Sequence, residues 1–140
     1  MRRAGCGTNT QGAVEVKSRN FLQSLGYAWN GLLFALRTER NMKIHAAAAI
    51  LVLLGAWWLR IETWQMLIVL VAIVFVVFAE LMNTVVEHMV DLLTAELHPH
   101  AKVAKDVAAA AVLVASGFAV VAGVLVFARP LWEQVAPLFQ

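Results

Sequence analysis

Apolar residues run almost unbroken from Ile44 to Leu59 and from Trp64 to Ala79, and again, after a polar stretch, through an Ala/Val-rich segment at 106–128. Runs of this kind predict three membrane-spanning helices, because a bilayer core about 30 Å thick takes about 20 residues of helix to cross. The first run ends in Trp57-Trp58, an interfacial aromatic anchor. The second is too short to span unless the helix continues past Ala79 into polar sequence, so the expected spans are 44–59, 64–91 and 106–128. A different period precedes them. From Arg19 to Arg37, Phe21, Leu25, Trp29, Leu32 and Leu36 recur at three- and four-residue spacing, with Asn20, Gln23 and Asn30 on the opposite side. That pattern predicts an amphipathic surface helix over 19–37, lying in the membrane interface. Gly26 and Gly31 within it, and Ser116, Gly117 and Gly123 in the third span, suit close approach of other helices.

The boundaries follow from breakers and composition. Residues 1–18 are polar and glycine-rich and read as a disordered tail. One membrane domain occupies 19–129, with a loop from Leu92 to Lys105 broken at Pro99. Arg129-Pro130 is expected to end the third span, leaving 130–140 as a short tail.

Composition turns this pattern into a class. The chain is 61% hydrophobic and 14% charged, whereas soluble domains are about half apolar and about a quarter charged. It is predicted to be an all-α integral membrane protein. A chain of 140 residues is too small to enclose a large site alone, so an oligomer is expected. The net charge of +2 gives no case for nucleic-acid binding, and Cys6 stands alone, without a disulfide partner or metal-site spacing. Charge placement says more than charge total. Seven Lys and Arg precede the first span, one lies in the first loop, two in the second and one after the third span. The positive-inside rule then puts the N-terminus and the second loop in the cytosol.

The polar extension of the second span carries the chemistry. Glu80, Asn83, Glu87 and Asp91 are spaced three, four and four apart, which aligns them on one helical face about 16 Å long. Glu80 falls at or just inside the hydrocarbon boundary, where an unpaired carboxylate costs up to about 3 kcal/mol. A merely solvated helix face does not require that burial. The Glu39–His45 segment and Lys105-Asp106 meet the stripe at the same membrane face. Carboxylates with an amide suit a hard cation such as Mg²⁺ that bridges to phosphates. Nearby Lys and Arg suit phosphate oxygens, and a carboxylate set into the membrane suits removal of a proton from a lipid hydroxyl.

A lipid kinase fits this assembly, though the chain has neither a GxxxxGK[ST] loop nor a protein-kinase catalytic loop. Two alternatives are non-catalytic. A cation or proton pathway would need polar residues along the whole span, and Leu67 to Ala79 supplies none; an assembly subunit would leave Glu39, Lys105 and the stripe unexplained. His88, His98 and His100 do not have the spacing of a strong zinc or iron motif.

Glu80-x-x-Asn83-Thr84-x-x-Glu87-x-x-x-Asp91 resembles the defining motif of the prokaryotic diacylglycerol kinase family. Lys105-Asp106 before an Ala/Val-rich helix is similar to its second block, and Gly26–Gly31 with Glu39–His45 to its N-terminal part. The resemblance covers about residues 20–128. It implies a homotrimer with shared sites in the bacterial inner membrane, three spans per subunit, and transfer of the ATP γ-phosphate to a membrane lipid alcohol with Mg²⁺. Carried over by position, it implies Glu80 as general base and Glu39 and Glu87 as metal ligands. Asn83 and Lys105 would contact phosphate or substrate, while Tyr27, Asp91, Glu96, His98 and Asp106 would support the nucleotide. Trp29, with Glu80 and Asn83, would meet the lipid.

Gln23 stands where Gram-negative-type members carry a basic residue, with Arg19 one turn away as a substitute phosphate contact. The Glu39–His45 segment looks more like the Gram-positive-type branch. The acceptor is therefore undecaprenol or diacylglycerol, with undecaprenol slightly favoured.

Overall fold

The structure is a computed structural model and describes residues 21–93 and 98–139. It is all-helical there: α1 spans Phe21–Thr38, α2 Arg40–Trp58, α3 Thr63–Leu93 and α4 Pro99–Val135, followed by a short 3₁₀ turn, Ala136–Phe139. The last three α-helices are long and apolar enough to cross a membrane. At 31 and 37 residues, α3 and α4 are about 46 and 55 Å long, well beyond a bilayer core of about 30 Å.

The core is the α3–α4 seam. Val69, Ala72 and Val76 of α3 are buried together with Val112, Ala115, Ala122 and Val126 of α4. Small and β-branched side chains let the backbones approach, which is how membrane helices associate where hydrocarbon offers no hydrophobic drive. Phe75 meets Phe118 edge-on at 6.2 Å. The glycines are not what draws these helices together: a Cβ placed on Gly26, Gly31, Gly117 or Gly123 would meet nothing within 4 Å. Close packing within the chain rests on alanine instead.

The helix ends differ from the sequence expectation in three places. The first span starts at Arg40, because the chain breaks for one residue only, at Glu39 (φ −81°, ψ 123°), between α1 and α2. Pro99 opens α4 rather than breaking a loop. It occupies the first turn, where a missing N–H costs nothing, and His98 caps it by accepting from the His100 N–H at 3.3 Å. Pro130 does not end α4, which continues to Val135. Proline at 130 removes the hydrogen bond to the Val126 carbonyl, and Gln65 Nε2 donates to that same oxygen at 3.4 Å. The Gln65 Oε1 also accepts the Glu62 N–H at 2.9 Å, tying the start of α3 to the end of α4.

The α2–α3 turn closes on Arg60, whose φ of 49° lies in the left-handed region. The Ile61 N–H donates to the Ala56 carbonyl and the Arg60 N–H to that of Trp57, at 3.3 and 3.2 Å. This paired pattern normally takes glycine at the position of Arg60.

Candidate active site

The polar residues gather at the end of the bundle where α1 joins α2. On α3, Glu80, Asn83 and Thr84 are buried against neighbouring helices, with Glu80 only 1% exposed and Asn83 5%. One α-helical turn separates Glu80 from Thr84, whose hydroxyl donates to the Glu80 carbonyl at 3.0 Å. The Asn83 Nδ2 donates to Glu87 Oε1 at 2.9 Å. That bond engages the amide nitrogen, while the buried carbonyl oxygen finds no donor. Glu80 Oε2 is likewise buried without a hydrogen-bond partner. Leaving such atoms unpaired typically costs about 1–3 kcal/mol each, so the pair marks a position prepared for something else.

The facing wall comes from α2. Asn41 and, one turn further along, His45 stand within electrostatic reach of the Glu80 carboxylate. Glu39 and Glu87 are within reach of the same carboxylate. Glu39 sits at the extended corner between α1 and α2. Its Oε1 accepts from the Thr38 hydroxyl at 3.3 Å and lies 3.9 Å from His88 Nε2. His88 in turn packs on the Phe34 ring of α1, with centroids 5.6 Å apart. Further out, Lys105 of α4 pairs with Asp91 at 2.5 Å.

Glu39 and Glu87 each repel the Glu80 carboxylate unless a cation joins them. Among the described residues, no three His, Cys, Asp or Glu side chains form a metal cage of their own. Mg²⁺ does not need one: it takes one or two carboxylates and completes its shell with water and phosphate oxygens. The Glu39 and Glu87 carboxylates supply the oxygen donors that this ion takes.

The sequence pattern of the prokaryotic diacylglycerol kinase family matches residues 26–127. Undecaprenol kinase of Bacillus subtilis is 40% identical over 107 residues, covering 76% of this chain and 87% of that protein. Diacylglycerol kinase of Synechocystis sp. is 38% identical over 113 residues, covering 80% and 65%. Diacylglycerol kinase of Escherichia coli is 27% identical over 125 residues, covering 89% and 95%.

The chain belongs to the prokaryotic diacylglycerol kinase family. It is by that membership an ATP-dependent lipid kinase of the membrane. It stands nearer to the Bacillus enzyme than to that of E. coli, in line with the branch to which its Glu39–His45 segment points.

Of the positions singled out in the sequence, the structure brings Glu39, Glu80, Asn83 and Glu87 together. Asp91 and Lys105 form an ion pair at the outer rim. Asp106 is exposed one residue beyond, and Tyr27 and Trp29 are exposed on α1. His98 is engaged as the cap of α4. Arg19, Glu96 and the tail with Cys6 lie outside the described residues. Three residues at the cluster were given no role of their own from the sequence: Asn41 and His45, named only as part of the Glu39–His45 segment, and His88, weighed only as a metal ligand. The four-residue spacing of Asn41 and His45 was a visible sign of a shared helical face. Which helix that face would meet was not.

Proposed function

We propose that this kinase transfers the γ-phosphate of Mg-ATP to the primary hydroxyl of undecaprenol or diacylglycerol, with Glu80 as general base. The observation that carries this reading is the Glu80 carboxylate itself, buried with one oxygen unpaired at the membrane end of an acidic cluster. The Glu80 carboxylate accepts the hydroxyl proton as the lipid oxygen forms its bond to the γ-phosphorus. The bond from that phosphorus to the ADP oxygen breaks, ADP departs, and Glu80 returns its proton to water. Such a base typically contributes about 10²–10⁴-fold; positioning and charge neutralisation supply the rest of phosphoryl transfer.

Glu39 and Glu87 are the residues suited to hold Mg²⁺, which when bound neutralises charge on the phosphate oxygens. The bond from Asn83 keeps one Glu87 oxygen oriented and leaves the other for the metal. Asn41 approaches the Glu80 carboxylate from the facing helix. Lys105 meets the triphosphate by exchanging Asp91 for a phosphate oxygen. Asp91, Asp106, Tyr27, Glu96, His98 and Arg19 are assigned supporting contacts to the nucleotide, and Trp29 a contact to the lipid.

The remaining parts of the reading follow from size and charge. The amphipathic face of α1 lies in the membrane interface, and the acidic end of the bundle faces the cytosol across the inner membrane. Three copies assemble into a homotrimer with shared sites, since a chain of 140 residues is too small to enclose a large site alone. The test is transfer of labelled γ-phosphate from Mg-ATP to each lipid in mixed micelles, with Glu80→Gln as the blank. Transfer that depends on Glu80 is expected; equal transfer by the variant removes Glu80 as base.

A further inference from the structure

A cavity of about 370 Å³ opens between α2, α3 and α4. Its lining is apolar except at two points, His45 and Ser116. His45 connects it to the cluster above, because the same side chain is within reach of Glu80. Ser116 Oγ is buried in the wall without a hydrogen-bond partner. A helical serine ordinarily bonds back to the carbonyl one turn earlier; this one does not.

Depth follows from the antiparallel register of α3 and α4. Asp91 meets Lys105, Phe75 meets Phe118, and Gln65 meets the Val126 carbonyl. Ser116 is therefore level with Val76 and Val77, which line the cavity with it. Val76 is one turn below Glu80 on α3, or about 6 Å deeper in the membrane.

A lipid whose hydroxyl reaches Glu80 must lay its next atoms at that level. In a diacylglycerol those atoms include an ester carbonyl, a few bonds from the hydroxyl. In a polyprenol they are alkenyl carbons only. A volume of about 370 Å³ has room for a stretch of hydrocarbon chain.

Resting on the kinase reading above, we propose that this cavity seats the acceptor lipid directly below its hydroxyl, and that Ser116 donates a hydrogen bond to an ester carbonyl there. Ser116 is thus a specificity residue. A site built to hydrogen-bond a substrate oxygen discriminates against an analogue that lacks it, because its own polar group is then left unpaired. The ester-bearing lipid gains from Ser116, and the polyprenol does not.

The experiment measures kcat/KM for diacylglycerol and for undecaprenol in the wild type, Ser116→Ala and Ser116→Thr, with the KM for ATP alongside. For Ser116→Ala, the diacylglycerol value is expected to fall about tenfold, with the undecaprenol value held or raised and the KM for ATP unchanged. Ser116→Thr keeps a hydroxyl and is expected to restore much of the loss. A parallel fall for both lipids, or no fall for diacylglycerol, overturns the assignment of Ser116, as does a wild type that accepts undecaprenol alone. A wild type that transfers to neither lipid fails the kinase reading itself, and this proposal with it.

Ala119→Leu narrows the same cavity and is expected to raise the KM for both lipids while leaving that for ATP unchanged. If Ala119→Leu instead lowers the number of subunits measured by light scattering, a neighbouring copy covers the cavity and the lipid assignment is overturned.

Discussion

The two ends of the helical bundle handle their polar groups in opposite ways. At the α2–α3 turn, each irregularity described has a partner. The left-handed Arg60 closes two hydrogen bonds, Gln65 takes the carbonyl that Pro130 leaves free, and the Trp64 indole donates to Glu62 at 2.5 Å. At the other end, Glu80 Oε2 and Asn83 Oδ1 belong to residues more deeply buried than Arg60, Gln65 and Trp64, and have none. Buried polar groups are normally satisfied. An end that obeys the rule is built for stability, and an end that violates it has spent stability on binding. Substitutions should therefore separate cleanly: those at the acidic end change turnover and spare the fold, and those at the turn do the reverse.

Glu80→Gln is the sharpest test of that separation. It keeps the shape and removes the charge and the proposed base, so transfer should fall about 10²–10⁴-fold. Thermal stability in detergent should hold or rise, since an uncompensated buried carboxylate is lost. A variant that lost activity only because it unfolded would erase the contrast between the two ends.

Glu87→Gln comes next. The Asn83 amide can still donate to the new carbonyl oxygen, but the charge that attracts a divalent cation is gone. The Mg²⁺ concentration for half-maximal transfer should rise about tenfold, read from a metal titration at saturating ATP. An unchanged titration would take Glu87 out of the metal shell and leave it as a mere neighbour of Asn83.

The acidic stripe was legible because a helix has one period: Glu80, Asn83 and Glu87 share a face whatever the rest of the chain does. Asn41 and His45 were not, because they approach Glu80 from α2, and no local pattern records which face of one helix meets which face of another. The prolines failed for a related reason. Pro99 and Pro130 each look like a stop signal, and the rule is sound for an isolated helix. Pro99 sits where α4 begins, so its missing N–H matters to nothing. Pro130 is tolerated because Gln65, far away in sequence, supplies a donor.

That compensation gives the third test, at the stable end. Gln65→Leu strips a donor from the Val126 carbonyl and an acceptor from the Glu62 N–H, and should cost about 1–3 kcal/mol in a detergent unfolding titration. With Pro130→Ala in the background, the residue 130 N–H can bond Val126 again, and the Gln65→Leu penalty should shrink. Additive effects would show that the two residues do not act on one carbonyl. Activity per folded enzyme should not change in either variant.

The smallest expected effect is at Arg60. A non-glycine residue held at φ 49° pays a steric cost of about 1 kcal/mol that glycine does not. The two hydrogen bonds that close the turn come from backbone atoms, so Arg60→Gly keeps them. The exposed arginine side chain contributes none of the pairing described at this end. Glycine also widens the unfolded ensemble, which subtracts from the gain and holds the net stabilisation to about 0.5 kcal/mol. Turnover should be that of the wild type, since Arg60 lies at the opposite end of the bundle from Glu80. A fall in activity at Arg60→Gly would mean that the turn transmits to the acidic end through the length of α3, and the division of labour between the two ends would then be wrong.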